Sequence, residues 1–455
     1  MNKKLCNAAA SALVGLSFSF FSTNAAADAA SELVRKLVAK DILTEEEGNL
    51  LLQSRAQEIA EATHIEVGKK GLKVKSADGD FSMQFGGRLH ADVFGHSSDG
   101  DLAGGVDPVD GTEIRRGRIY LKGKAYDDFK YMIEADFAGN KTSVKDLFLS
   151  YTGFNGPLEL TVGNQKHAMS MEVQESSNDI MFTERSLVTA LTVPYFDRAI
   201  GLNLKGSGDD WSLQSGIYGD TVSSGNKNND EGHGFGIRGT FAPVMNAENG
   251  HLLHLGLNYG YRSLSDDNLA NTKSAAFAYE TTNASELKLF NTGAIGGLND
   301  VQTGIIELAA MFGPLSFQSE YAKTKADLDG AADVDLTAFY GQIGYTLTGE
   351  SRRYKGSDGE FKRLTPKQNF SLSQGTWGAW ELATRYDQVD LNDSSILGGK
   401  GKRYTLAVNW YLNPNVRLMA DWTRTFDLTN GPIVKTNGSD VDNIDAFTLR
   451  GQWAF

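Results

Sequence analysis

The residues of this chain whose types and spacing suggest chemistry are basic. Arg116, Arg118, Tyr120, Lys122 and Lys124 recur at every second position. An extended strand has a period of two, so all five side chains project from one face of one segment. Guanidinium groups stacked along a wall bind carboxylate or phosphate through paired hydrogen bonds, and lysines add point charges. In a water-filled passage such a column lowers the barrier for anions and passes them from site to site. Arg88, Lys130, Lys205, Arg238, Arg262, Arg385, Arg403, Arg417 and Arg450 fall on the same parity of their own segments. So do the acids Asp92, Glu134, Asp136, Asp146, Glu159, Glu307, Glu320, Glu381, Asp387 and Asp421. Cross-strand ion pairing therefore competes with anion conduction as the role of any one cation. The run from Arg116 to Lys124 favours conduction, because its own strand supplies no acid on that face.

Other chemistries find less support. His90 and Asp92 share a face two residues apart, an arrangement that can orient a general base. No serine in a nucleophile elbow accompanies them, so a hydrolase set is incomplete. Asp99, Asp101, Asp107 and Asp110 crowd one loop, but their spacing fits no calcium loop, and a solvated acidic loop is the expectation. Phosphate loops, dinucleotide fingerprints and metal motifs are absent from the sequence, so neither a metal nor a cofactor is expected. An acidic chain of net charge −13 is a poor nucleic-acid binder.

The elements that must position these residues are strands. The final segment, AFTLRGQWAF, alternates Phe447, Leu449, Gly451, Trp453 and Phe455 with Ala446, Thr448, Arg450, Gln452 and Ala454. From Phe81 onward similar segments follow one another, about 16 in all, the even number that a single-chain bacterial barrel requires. Connections alternate between short, as at Tyr126–Asp128, Gly153–Pro157 and Asn413–Asn415, and long, as at His96–Gly111, His167–Asp197 and Ser263–Asp300. Short periplasmic turns against long outer loops are the mark of a membrane barrel. Thr348–Gln374 breaks the pattern, being long where a short turn is due. All eight prolines are assigned to connections, and Trp211, Trp377, Trp380, Trp410 and Trp453 cluster at the short-turn ends, where indole prefers the membrane interface. A mean hydropathy of −0.32 suits a barrel with a polar lumen better than a bundle of membrane helices.

The amino end differs. Residues 1–27 read as a signal peptide, with Lys3 and Lys4 ahead of a short apolar run and Ala25–Ala27 at the cleavage site. Cleavage near Ala27 removes Cys6, the single cysteine, and with it disulfide and thiolate chemistry. Residues 28–64 carry the one helical pattern, with a capping box at Thr44–Glu47. Its apolar stripes can pair with copies of themselves in a coiled coil or dock on the barrel, and the pattern leaves both open. Residues 65–455 form the barrel, with inserted loops near 167–197 and 263–300.

The segments RRGRIYLKGKAY, KYMIEADF, VKDLFLSYTGF, LTVGNQK, MFTERSL, FGPLSFQSEY, LTGESRRYKG and WGAWELATRYD together resemble the phosphate-selective porin O and P family over nearly the whole mature chain. The resemblance implies an all-β, 16-stranded, trimeric outer-membrane porin whose long loops fold inward to a constriction reached by an arginine ladder. Small anions such as phosphate, outer-membrane lipid and lipopolysaccharide are the implied partners. Arg88 and Arg118 correspond to ladder arginines, Tyr120 to a wall tyrosine, Asp146 to a constriction aspartate, Arg185 to a constriction arginine and Lys166 to a loop lysine. The long LTGESRRYKG turn matches an extended turn of the family. The segment HAMSMEVQESSND departs from the family pattern, offering Glu172, Glu175 and Asp179 in place of lysines. That departure raises the alternative of a porin that has moved to other substrates; an envelope-tethering role for the helical end is a further alternative.

Overall fold

The computed structural model describes residues 32–60, 63–105, 108–222, 231–246, 249–264, 276–280, 287–394 and 396–455. The expected signal peptide, with Cys6 and the Ala25–Ala27 cleavage site, lies outside them, as does Asp107. Two compact units are present.

The amino-terminal unit holds a helical stretch over 32–39 and a helix, α1, at Glu45–Ala60. The capping box is formed: Glu47 N–H donates to Thr44 Oγ1 at 3.2 Å, and Thr44 N–H donates to Glu47 Oε2 at 2.9 Å. Hydrogen bonds from the Thr44 backbone and hydroxyl hold the exposed Glu47 carboxyl below its ordinary pKa.

The second unit is a closed antiparallel barrel. Its strands are β1 (Phe81–Ser98), β2 (Gly111–Ala125), β3 (Phe129–Asp136), β4 (Ser143–Tyr151), β5 (Leu158–Lys166), β6 (Arg198–Ser207), β7 (Trp211–Tyr218) and β8 (Gly234–Asn246). They continue as β9 (His251–Ser263), β10 (Leu298–Phe312), β11 (Leu315–Leu328), β12 (Val334–Thr346), β13 (Ala379–Asp393), β14 (Ile396–Tyr411), β15 (Val416–Thr429) and β16 (Asn443–Ala454). β16 closes the barrel on β1, with Leu449 opposite Val93 and Trp453 opposite Leu89. Closure leaves no barrel edge to aggregate. A hairpin over residues 65–75 adds to the foot of β1 through Leu72 opposite Phe85.

Alternation sorts the wall. Leu89, Val93, Ile133, Leu149, Leu257, Ile306, Leu406 and Leu449 are exposed on the outside. Trp380 stacks on Trp410 with centroids 4.9 Å apart, and Trp453 stacks on Phe455 at 4.4 Å, all at the short-turn rim. Pro194 keeps to its expected connection, inside the short helix Thr189–Phe196 of the 167–197 loop. One proline departs: Pro243 lies within β8, where the register shifts between Phe241 and Val244. A bulge frees that position from the ladder, so a missing N–H is tolerated there.

Among the described residues, segments of three connections fold into the lumen. The 167–197 loop contributes Leu187, Val188, Leu191 and Phe196 to an apolar cluster with Phe277, Leu287, Leu289 and Phe290 of the long connection between β9 and β10. Inward-facing Val301, Ile305, Ala322, Leu336, Ala338 and Val389 belong to the same cluster. The inward face is thus apolar, not polar, at the loop ends of β10–β13, because it packs against loops instead of water. From the opposite end, the long turn between β12 and β13 sends in a small hairpin, Arg353–Lys355 against Glu360–Lys362, whose Phe361 packs with Met171, Leu252 and Met311.

Candidate functional site

Filling one side of the lumen leaves open space against the other. A cavity of about 600 Å³ lies between the 167–197 loop and the wall of β1–β6. Its lining carries Arg88, Arg115, Arg116, Arg118, Lys145, Lys166, Arg185, Arg198 and Lys288 against Glu134, Asp146, Glu184, Asp197 and Glu280. Nine cations less five carboxylates leave a formal lining charge of +4.

Two bulges concentrate that charge. On β2, His90 of β1 faces Arg116 and Ala91 faces Ile114, so Arg115 is an extra residue. The adjacent arginines both turn inward: Arg115 grips Glu184 through Nε–Oε1 at 2.7 Å and a second bond at 3.0 Å, and Arg116 lies 3.9 Å from the same carboxylate. On β4, Ile133 of β3 faces Leu147 and Ala135 faces Val144, so Lys145 and Asp146 share one step and both line the cavity. Strict two-residue counting assigns Arg115 and Lys145 to the lipid face. The cost of charge on that face was the signal that the count had to break.

Other lining cations are held in fixed positions. Arg88 and Arg118 share Glu134 at 2.8 and 2.9 Å, and Arg118 also binds Asp136 at 2.7 Å. Arg88 reaches Ser177 Oγ at 3.0 Å, while its Nε is buried without a hydrogen-bond partner. Arg198, which periodicity did not single out, makes a two-point pair with Asp146 at 2.9 and 3.2 Å. Lys166 and Arg185 are fixed by backbone carbonyls: Lys166 donates to Val173 and Gln174 at 2.7 and 2.8 Å, Arg185 to Glu172 and Glu175 at 2.9 and 2.8 Å. Carbonyls orient a cation without cancelling its charge. Glu184 is the loop's only carboxylate projected between wall arginines; burial alone would raise it, but Arg115 and Arg116 hold it well below the usual carboxylate range.

The remaining expected cations lie elsewhere. Arg238, Arg385, Arg403, Arg417 and Arg450 are buried and do not line this cavity. Four of them bolt the inserted loop to the far wall: Arg417 donates to Ile180 O at 2.9 Å, Arg385 to Glu184 O at 3.1 Å, Arg403 to Arg185 O at 3.1 Å, and Arg450 to Thr183 O. Wall carboxylates complete the attachment by accepting loop N–H groups. Glu320 takes Met171 at 2.8 Å, Asp421 takes Thr183 at 2.7 Å, and Asp387 takes Leu187 at 2.9 Å. Arg238 pairs with Glu307 at 2.8 Å and holds the Gly359 carbonyl of the inserted turn. Tyr120 donates to the Phe455 carbonyl at 3.3 Å, with Lys122 beside its ring and Lys124 half-exposed near Asp127, so the column runs from the cavity toward the short-turn mouth. His90 binds Asn178 and Arg116, and Asp92 binds Arg450, so the two do not form an acid–base pair.

Three of the loop's acids turn away from the cavity, while Glu184 and Asp197 line it. Glu172 accepts from Ser186, Glu175 pairs with Arg352 at 2.7 Å, and Asp179 lies 3.9 Å from Arg363; none of the three lines the cavity.

Comparison with known proteins follows the same lines. Residues 83–455 match the profile of the family described as phosphate-selective porin O and P. Porin O of Pseudomonas aeruginosa is 30% identical over 418 residues, covering 85% of this chain and 91% of that protein. An uncharacterized protein of Caulobacter vibrioides is 28% identical over 371 residues, covering 78% of this chain and 71% of that one. Among solved structures, the anion-selective porin from Comamonas acidovorans superposes with a TM-score of 0.52 at 14% identity, covering 82% of this chain and all of that one. The loop L8 deletion mutant of OmpT from Vibrio cholerae gives 0.51 at 13% identity, covering 83% of this chain. These two likenesses are likenesses of fold.

Proposed function

The chain belongs to the phosphate-selective porin O and P family, and from that premise we propose that it is a passive outer-membrane porin that prefers anions and passes phosphate or related anions. The observation that carries the reading is the surplus of cations around the cavity, three of which (Lys145, Lys166 and Arg185) have no carboxylate within 4 Å among the described residues. An anion entering there replaces lost hydration with N–H donors already in place, so little reorganisation opposes it. Arg88, Arg116, Arg118, Lys166 and Arg185, joined by Arg115, Lys145 and Arg198, are the residues assigned to the path; Lys122 and Lys124 attract anions at its short-turn mouth. Asp146 positions Arg198 and thins the local charge so that a bound anion leaves. The buried arginines hold the loop that shapes the path. The reading of a porin adapted to other substrates rested on Glu172, Glu175 and Asp179, and their turning away removes its motive.

The working unit in this proposal is a homotrimer in contact with outer-membrane lipid and lipopolysaccharide, exported with residues 1–27 removed and its helical segment in the periplasm. The test is chloride current through the purified protein in a planar bilayer with phosphate added. Block by phosphate at submillimolar concentration supports the reading, and current unaffected by phosphate refutes selective passage.

A further inference from the structure

Among the described residues, cations at outward strand positions near the loop ends gather on one side of the barrel. At the loop ends of β11–β13 the usual polarity is inverted: Ala322, Leu336 and Val389 are buried inward, while their outward neighbours are charged. Lys323 pairs with Asp335 at 2.8 Å, Lys325 with Asp333 at 2.6 Å, and Lys400 with Asp390 at 2.7 Å. Lys402 pairs with Asp427 at 2.9 Å and Arg424 with Asp445 at 2.7 Å. The cation side chains are 39–53% exposed. Cross-strand register makes the band continuous, with Asp390 opposite Lys400, Tyr404 opposite Arg424, and Arg424 opposite Asp445.

Aromatic rings are interleaved with these charges, Phe426 opposite Lys402 and Tyr404 opposite Arg424. Tyr404 stacks on Phe426 at 5.4 Å and meets Tyr386 at 5.1 Å, and Arg424 lies over the Trp422 ring at 5.5 Å. Aromatic rings of this kind mark headgroup level, so the charges stand where lipid phosphates are. Round the other side, the outward positions near the loop ends of β2, β4, β6 and β7 are Ile114, Val144, Ile200 and Ile217, and no strand residue of β2–β9 offers an outward lysine or arginine there. Half-exposed ion pairs add ~0–1 kcal/mol each, so barrel stability does not account for five of them on one face.

We propose that the outer face of β11–β16 binds the phosphorylated glycolipid of the outer leaflet, lipopolysaccharide. Lys323, Lys325, Lys400, Lys402 and Arg424 take its phosphates directly. Their aspartate partners are hard oxygen ligands that hold divalent cations bridging to neighbouring phosphates. The alternation of signs suits a lipid cross-linked by divalent cations better than a uniformly basic patch would. The inference rests on the outer-membrane placement above and is independent of what passes through the lumen.

The test uses the full protein in detergent with fluorescent lipopolysaccharide, the same glycolipid after enzymatic removal of its phosphates, and wild type beside the combined variant K323Q/K325Q/K400Q/K402Q/R424Q. The combined variant is expected to bind at least tenfold more weakly, wild type to discriminate against the dephosphorylated lipid by a similar factor, and chelation of divalent cations to weaken wild type several-fold. K141Q, in a loop outside the band, is expected to bind as wild type does. The pairwise variants K323Q/K325Q and K400Q/K402Q each carry part of the loss and serve where the combined variant does not insert. Equal affinity of wild type and variants, or equal affinity for the two lipids, overturns the proposal. Loss of oligomeric state with unchanged lipid affinity also overturns it, by making this face a subunit contact. Chloride conductance of each variant at the wild-type level shows an intact barrel, so failure here is separable from failure of the porin reading.

Discussion

Replacing Glu184 by Gln should strengthen anion binding in the path. The carboxylate lies between Arg115 at 2.7 Å, Arg450 at 3.1 Å and Arg116 at 3.9 Å. Glutamine keeps the shape and one acceptor oxygen, so the tie between loop and wall is retained in part while the formal lining charge rises from +4 to +5. An anion held ~6 Å from that position feels a unit negative charge as ~0.7 kcal/mol of repulsion at water's dielectric constant and ~2.8 kcal/mol at an effective value of 20. The cavity is wet and screened by salt, so the lower part of that range applies, ~1 kcal/mol or about fivefold in affinity for a monovalent anion. The assay is single-channel chloride current titrated with phosphate, at two salt concentrations. The half-blocking concentration should fall about fivefold at low salt and less at high salt. Arg115→Gln takes the lining charge to +3 and should move the block the other way. An unchanged or weakened block in Glu184→Gln, with unchanged unitary conductance, would refute the electrostatic account of the path.

Arg185→Ala should weaken phosphate block by about tenfold while leaving stability nearly intact, because its partners are two carbonyls that water can satisfy; block titration and thermal melting in detergent separate the two effects. Asp387→Asn should do the reverse. It leaves Arg385 and Arg403 buried without their shared carboxylate, costing ~3–5 kcal/mol, and loosens the loop at Leu187, so the melting temperature should drop and unitary conductance should rise and fluctuate. Lys124→Gln, at the half-exposed mouth, should lower anion conductance modestly at low salt and not at 1 M salt, where the screening length is about 3 Å.

Much of the architecture was legible because its physics is local. Alternation along β1 to β16, the alternating lengths of the connections, the tryptophans at one rim and the Thr44–Glu47 box depend on neighbours in sequence, and each is present in the structure. The lumen was less legible, because its contacts join residues far apart in the chain. Parity placed Arg417 and Arg450 inward, but only the folded loop determines that Ile180 and Thr183 carbonyls meet them there. Parity also hid Arg115 and Lys145, since a bulge shifts the phase by one residue and turns a lipid-facing position inward. Composition of the 167–197 loop offered Glu172, Glu175 and Asp179 in place of lysines and so a change of substrate; fold geometry instead spends Glu172 and Glu175 on Ser186 and Arg352 behind the loop. What periodicity supplies is the set of residues that can reach the lumen, and which of them remain unpaired depends on how the loops pack.

The central claim, that the lumen prefers anions, is tested most directly by the zero-current potential of the purified protein in a planar bilayer across a tenfold potassium chloride gradient. The account predicts a potential whose sign corresponds to chloride preference, reduced in Arg118→Glu and little changed in Arg352→Glu wherever that variant folds, because Arg352 is paired with Glu175 away from the cavity. A potential of the opposite sign, showing potassium preference in the wild-type channel, would contradict it.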